Sequence, residues 1–233
     1  MLQRIFSNIL NFALPNTCIS CQANIGAQEK YLCKVCLGKL EPYNENPPWK
    51  EELIAGGTID NSLSAFWFRE GTPIQTLLHS MKYSKMKGVG IFLGNELGKL
   101  IGQHANMRFD YILPVPLHKA KFRDRTYNQS EFIAKGISDI LNAEVINDLI
   151  IRTRFTGTQT RLTKSERKEN VSGAFEINPK HANVIRNKNM ILVDDVITTG
   201  ATILECASAL KKASAGRVWV CSAAYAELKL NVI

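Results

Sequence analysis

The chain has 233 residues, 45% hydrophobic and 21% charged, with a net charge of +8. Those fractions exclude disordered and fibrous classes and suffice for one α/β domain with a small appendage. The positive balance points to anionic partners, either phosphorylated metabolites or nucleic acid, and no apolar run reaches the roughly 20 residues that cross a bilayer.

The first stretch, MLQRIFSNILNFALPN, spaces Leu2, Ile5, Phe6, Ile9 and Leu10 at helical intervals with polar residues between them. It reads as a short amphipathic helix. A signal peptide would need a continuous apolar core and a small-residue cleavage site, so a cytoplasmic protein is expected. Two knuckles follow, Cys18-Ile-Ser-Cys21 and Cys33-Lys-Val-Cys36, eleven residues apart. Together they can present four thiolates to one tetrahedral Zn²⁺. So small a segment has little apolar core, and the metal would supply its folding energy. Two disulfides or a redox dithiol are the alternatives; a cytosolic setting disfavours the first, and the lack of a thioredoxin-like βαβ context the second. With four sulfurs around it the metal has no open position, so its role would be structural. Next, ENPPWKEE (45–52) reads as a linker or turn. The expected organisation is an N-terminal helix and zinc module over 1–45, a linker over 46–60, and a main domain over 61–233.

The main domain alternates strand-like and helix-like segments. Ser62–Phe68 is strand-like; Ile74, Leu77, Leu78 and Met81 mark a helix, and Val89–Ile101 another. Tyr111–Val115 is a short buried strand, followed by a 3.6-residue period through Phe132, Ile133, Ile137, Ile140 and Leu141. Val145–Ile151, Met190–Val196 and Arg217–Ala223 are strand-like, with a helix through Ile203, Leu204, Ala207 and Leu210 between the last two. Cys206 and Cys221 fall on apolar faces as core residues. This alternation implies a parallel sheet with helices on both faces, and ligands in such sheets bind beyond the carboxyl ends of the strands.

One stretch carries the chemistry. In MILVDDVITTGAT (190–202), Asp194 and Asp195 emerge at the end of a buried strand, and Thr198, Thr199, Gly200, Ala201 and Thr202 form a turn opening a helix. A helix start with small hydroxylated residues accepts a phosphate, and glycine allows the turn's dihedrals. The carboxylates would repel a bare phosphate; they suit sugar hydroxyls, or a Mg²⁺ shared with a polyphosphate. A ribose 5-phosphate satisfies the whole stretch. The rivals fit less well. Gly94-Asn-Glu-Leu-Gly98-Lys99-Leu100 is one residue short of a phosphate-binding P-loop and lacks its hydroxyl, and Gly88-Val-Gly90-Ile-Phe-Leu-Gly94 misses the dinucleotide spacing. A phospho-acceptor receiver domain would need more chain than follows the acidic pair.

VDDVITTGAT resembles the binding signature of type I phosphoribosyltransferases for 5-phosphoribosyl 1-pyrophosphate (PRPP). ILPVPLHKAKFRDRTYNQSEFIAKGI (112–137), Gln159, ERKENVSGAF (166–175) and the cysteine module narrow this to a similarity to the ComF-type phosphoribosyltransferase-like proteins. That resemblance covers nearly the whole chain. It implies a type I phosphoribosyltransferase fold, a parallel sheet of about five strands with a small hood, and association with DNA uptake in natural transformation. Asp194 and Asp195 would be the catalytic carboxylates and hold the ribose. Thr198–Thr202 would take the 5′-phosphate; Leu117, His118, Lys119, Arg125 and Arg167 would take the pyrophosphate of PRPP, with its Mg²⁺. Lys119, Lys121, Arg123 and Arg125 crowd one loop, as polyanion binding requires. The long polar segment 152–175 resembles the family's flexible loop, a lid with Gln159, Arg161 and Asn170, closing over PRPP to exclude water. One departure is Thr126, where the family has glycine; a positive φ there would strain threonine.

Two functions fit these residues. One is an enzyme that transfers phosphoribose to an acceptor. The other is a non-catalytic PRPP sensor that grips single-stranded DNA and works with competence-machinery proteins. DNA binding would call for aromatic stacking in a basic groove, for which Phe122, Tyr127 and Phe155 are candidates.

Overall fold

The computed structural model describes residues 17–117, 122, 123, 125–153 and 173–227. The expected N-terminal helix lies outside them. The described elements run α1 (Lys34–Leu37), α2 (Lys50–Ala55), β1 (Asn61–Trp67), α3 (Pro73–Tyr83), α4 (Lys87–His104), β2 (Tyr111–Pro114), α5 (Gln129–Leu141), β3 (Glu144–Val145), β4 (Ile150–Arg152), β5 (Phe175–Ile177), a 3₁₀ helix (Pro179–Val184), β6 (Met190–Ile197), α6 (Ala201–Lys212) and β7 (Val218–Tyr225). Five strands form one parallel sheet in the order β1-β7-β6-β2-β3, and β4 pairs antiparallel with β5. The parallel sheet is the one expected from the alternation, and its five strands are the number the family resemblance implies.

Both faces of the sheet are covered. Ile191 and Val193 of β6 join a core with Leu77, Leu93, Leu97, Ile133 and Ile137 from α3, α4 and α5. Met190 and Leu192 face the other way, into a core with Ile203, Ala207 and Leu210 of α6. A strand buried on both sides reads as a continuous apolar run, which is why MILV carries no alternation. The glycines that mimic nucleotide loops lie on α4: a Cβ on Gly94 would strike the backbone of Ile133 and Gly136 on α5. They form a seam where two helices pack at close range.

The apolar run expected as one strand over 145–151 divides. Glu144–Val145 ends the main sheet beside β2, and Ile150–Arg152 pairs with β5 instead. Asn147 and Asp148 break it, since both side-chain types favour turns over strands. Asp148 is held there by His181 Nε2 at 2.7 Å and by Asn178 Nδ2, which donates to its backbone carbonyl at 3.0 Å. The β4–β5 ladder is a stem, and the segment expected to be a lid joins its two strands.

The cysteine-bearing segment is docked on this body. Cys18, Leu32, Cys36 and Leu40 are buried in the core of α3, α4 and α5. Tyr31 stacks edge-on against Phe92 of α4, with ring centres 5.9 Å apart. Chain leaving the module covers the outer edge of β1: Tyr43 N donates to Ala65 O at 3.1 Å, and Trp67 N to Glu41 O at 2.8 Å. An edge strand so covered cannot template pairing with another molecule. The segment expected as a linker carries α2 and buries Trp49 in the second core.

Candidate functional site

The sheet creates a crevice by a mismatch in strand length. On its β7 side, β6 stays in register through Ile197 opposite Tyr225. On its β2 side the ladder ends at Pro114 opposite Val193, with one further bond from Val115 N to Val193 O at 2.9 Å. Chain then leaves β2 through Pro116, and Asp194 and Asp195 extend beyond the place where their neighbour departs. From β2 the next strand of the sheet, β3, lies on one side; from β6 the next, β7, lies on the other. Strand order therefore reverses between β2 and β6, the topological switch point at which parallel α/β sheets bind ligands. The aspartates were expected at the strand's tip. They lie within β6, because β7 continues to pair with it.

Alternation along β6 separates the two carboxylates. Asp194 Oδ1 accepts from Ser130 Oγ of α5 at 3.1 Å and from Asp195 N at 2.8 Å. Asp195 Oδ2 pairs with Lys82 Nζ of α3 at 2.8 Å, the side chains being 14% and 21% exposed, and its Oδ1 accepts from Val196 N at 2.7 Å. Their acidities diverge accordingly. Burial, then the neighbouring Asp195 charge, push the Asp194 carboxyl up to about 7. Burial also works to raise Asp195, but Lys82 and the Arg125 charge outweigh it and hold that carboxyl below its ordinary value. One aspartate is an ionised acceptor across the neutral range, and its neighbour titrates near neutrality.

After β6 the chain turns sharply. Thr198 and Thr199 are half-buried, and Gly200 caps α6 with φ +75°. A Cβ at Gly200 would also lie 2.8 Å from Leu204 Cδ1 and 3.2 Å from Trp49 Cε2, so both dihedral and space call for glycine. Ala201 N donates to Thr199 Oγ1 at 3.4 Å, and Ala201 and Thr202 make the first turn of α6. A helix start points N–H groups and the positive end of its dipole outward, a fit for phosphate. Trp49 reaches this turn from α2's start; its indole N–H is buried with no hydrogen-bond partner among the described residues.

The loop after β2 is tied back by α5. Asn128 caps α5 through its side-chain oxygen, which accepts from Ser130 N at 3.2 Å, while its Nδ2 donates to Val115 O at 2.9 Å. Arg125 donates to Gln129 Oε1 at 3.0 Å and lies over the Tyr83 ring. Thr126 takes φ +66°, the left-handed conformation for which glycine is suited, and its hydroxyl donates to Arg125 O at 2.6 Å. Leu117 is half-buried in the same loop. His118 and Lys119, and the lid residues Gln159, Arg161, Arg167 and Asn170, lie outside the described residues, as does Phe155. Tyr127, considered for base stacking, is buried: its hydroxyl donates to Met81 O. Phe122 is exposed.

Three contributors escaped the sequence reading. Ser130 carries no local signature beyond its place after Asn128. Lys82 does: it falls on the stripe of Ile74, Leu77, Leu78 and Met81, four residues after Leu78, where an outward charge is not expected. Trp49 was hidden by the prolines and charges around it.

The cysteine sulfurs of Cys18, Cys21, Cys33 and Cys36 all lie within 4.8 Å of one another, and those of Cys21 and Cys33 are 3.7 Å apart. Zn–S bonds of about 2.3 Å arranged tetrahedrally put sulfurs about 3.8 Å apart, so the cluster fits a four-thiolate metal site. Glu29 joins the knuckles by accepting from Gly26 N at 2.7 Å and Lys34 N at 2.8 Å.

A phosphoribosyl transferase domain model matches residues 128–228, from the cap of α5 through β7. The DNA utilization protein YhgH of Escherichia coli K12 is 32% identical over 206 residues, covering 85% of this chain and 81% of that protein. Competence protein F of Haemophilus influenzae is 25% identical over 230 residues, covering 88% of this chain and 93% of that one. Among solved structures, glutamine PRPP amidotransferase from B. subtilis aligns at TM-score 0.41 and 20% identity, over 63% of this chain and 30% of that enzyme. An adenine phosphoribosyltransferase aligns at 0.38 and 17%, over 70% and 78%. By its identity to the E. coli protein over most of both lengths, the chain belongs to the ComF-type phosphoribosyltransferase-like family.

Proposed function

We propose that the protein binds PRPP in the crevice between β2 and β6 and acts, as a phosphoribosyltransferase-like protein, in the handling of incoming DNA. The observation that carries this reading is the extension of β6 past β2, which sets two adjacent carboxylates beside a glycine-capped helix start. In this reading Asp195, ionised by Lys82, accepts from one ribose hydroxyl. Asp194, titrating near neutrality, accepts from or donates to the other. Thr198–Thr202 hold the 5′-phosphate through helix-start amides and hydroxyls. Leu117, His118, Lys119 and Arg125 line the pyrophosphate end, and Gln159, Arg161, Arg167 and Asn170 close over it. Mg²⁺ bound with PRPP would neutralise diphosphate charge. The protein's share of any transfer at C1′ is to fix the sugar, exclude water and present cations to the departing pyrophosphate. The four cysteines hold a structural Zn²⁺ that fastens the first module to α4.

Two proteins similar to this chain are named for DNA utilization and for competence, and the chain carries a net charge of +8. These support single-stranded DNA as a macromolecular partner. Titration calorimetry with Mg²⁺-PRPP tests the site. The protein should bind, and Asp194→Asn with Asp195→Asn should weaken binding more than tenfold. Absence of binding by the unmodified protein rejects the reading. For single-stranded DNA, log K against log salt should have a negative slope of about 0.7 for each phosphate contacted.

A further inference from the structure

The last turn of α3 is a wall of the same crevice. Its three final residues each touch a different part of it. Met81 O accepts from the hydroxyl of Tyr127, Tyr83 lies under the Arg125 guanidinium with 5.8 Å between ring centre and Cζ, and between them Lys82 Nζ meets Asp195 Oδ2 at 2.8 Å. Tyr127 and Arg125 belong to the segment that returns from the β2 loop to α5; Asp195 belongs to β6. Lys82 therefore stands at the seam between the proposed sugar-binding strand and the proposed pyrophosphate loop.

From this placement we infer that Lys82 is a specificity residue that selects ligands bearing an anionic group at C1 of the ribose. The inference rests on the PRPP reading given above. Two adjacent carboxylates oppose any polyanion that approaches them. An ammonium has three donors and no acceptor, and one N–H suffices for Asp195. The remaining two are available to phosphate oxygens at the boundary where sugar and pyrophosphate meet. Asp195 in turn holds the flexible lysine stem in one place, so little side-chain freedom is lost on binding. A ligand that ends at a C1 hydroxyl, such as ribose 5-phosphate, presents no anion to this corner. It gains from the aspartates and the helix start alone.

The discriminating measurement is the ratio of affinities for Mg²⁺-PRPP and for ribose 5-phosphate by titration calorimetry. Lys82→Met should lower PRPP affinity tenfold or more while ribose 5-phosphate affinity changes by less than about threefold. Lys82→Arg should restore part of the ratio. Because Lys82→Met alone leaves the buried Asp195 charge without its cation, the same comparison is made in an Asp195→Asn background. There the added Lys82→Met should again lower the PRPP-to-ribose 5-phosphate ratio about tenfold. Equal loss for both ligands, or an unchanged ratio in the Asn background, overturns the inference and leaves the PRPP reading standing. Failure of the unmodified protein to bind either ligand overturns both.

Discussion

Asp194 should make the protein less stable as pH rises, and Asp194→Asn should relieve this. In the folded chain its carboxyl titrates near 7 against an ordinary 3.8, because burial and Asp195 disfavour its charge. Between those values the folded state keeps a proton that the unfolded chain has released. An acid raised in the folded state gives stability that is present below the unfolded pKa and lost as pH climbs through the folded one. At about 1.4 kcal/mol per pH unit the full loss is about 4 kcal/mol, an upper bound that partial solvation reduces to about 2 kcal/mol. Asparagine keeps the shape and still accepts from Ser130 and from the Asp195 amide, but carries no charge. Urea unfolding followed by fluorescence of Trp49, Trp67 and Trp219, in phosphate-free buffer, gives the stabilities of parent and variant. The advantage of Asp194→Asn should grow by about 1 kcal/mol from pH 5 to pH 8, most of it between pH 5 and 7, the rest of the loss falling below pH 5. An advantage that stays constant or shrinks over that range would refute the account of Asp194 as a charge held at the expense of stability.

Thr126 offers a second test. An L-residue in the left-handed region loses about 1–2 kcal/mol, and glycine returns about 0.4–1 kcal/mol of that through its freer unfolded chain. Thr126→Gly should therefore raise the melting temperature by roughly 2 °C in calorimetry, whereas glycine in an ordinary exposed loop would lower it. For the cysteine cluster, elemental analysis should find one zinc per chain. Cys18→Ser should lose it and lower the melting temperature by several degrees, since Cys18, Leu32 and Leu40 pack into the same core as α4. Full zinc retention by Cys18→Ser would disprove the four-thiolate arrangement.

What the sequence made legible was local. VDDVITTGAT announces its chemistry because strand, acids, glycine and helix start are consecutive, and paired Cys-x-x-Cys knuckles announce theirs by spacing. The sheet's alternation was readable for the same reason, each segment carrying its own period. Misplaced features were decided by neighbours far away in the chain. Val145–Ile151 looks like one strand until Asp148 meets His181 and Asn178. Asp194 and Asp195 look like residues past a strand's end until β7 is seen to pair on to Ile197. Lys82 joins the site across 113 residues of chain, through an ion pair that no window of sequence contains.

The helical glycines connect these distant parts. Gly94 and Gly136 let the backbones of α4 and α5 approach until no Cβ would fit between them. Neighbouring Gly90 and Gly98 leave room for Phe132 and Ile140 along the same seam. Residues at the start of α5 do two tasks in the crevice: Asn128 holds the β2 loop through Val115, and Ser130 holds Asp194. Their positions follow from how closely α5 lies against α4, because a rigid helix transmits a displacement along its length. The α4 helix is also where Tyr31 of the cysteine module rests, its hydroxyl occupying the space a side chain at Gly88 would need. A site that looks self-contained in sequence is thus set by a chain of close contacts running from the module's Tyr31 through the α4–α5 backbone seam to Ser130 and Asp194. Glycines that fail every nucleotide-binding pattern still contribute to the site, by the spacing they permit.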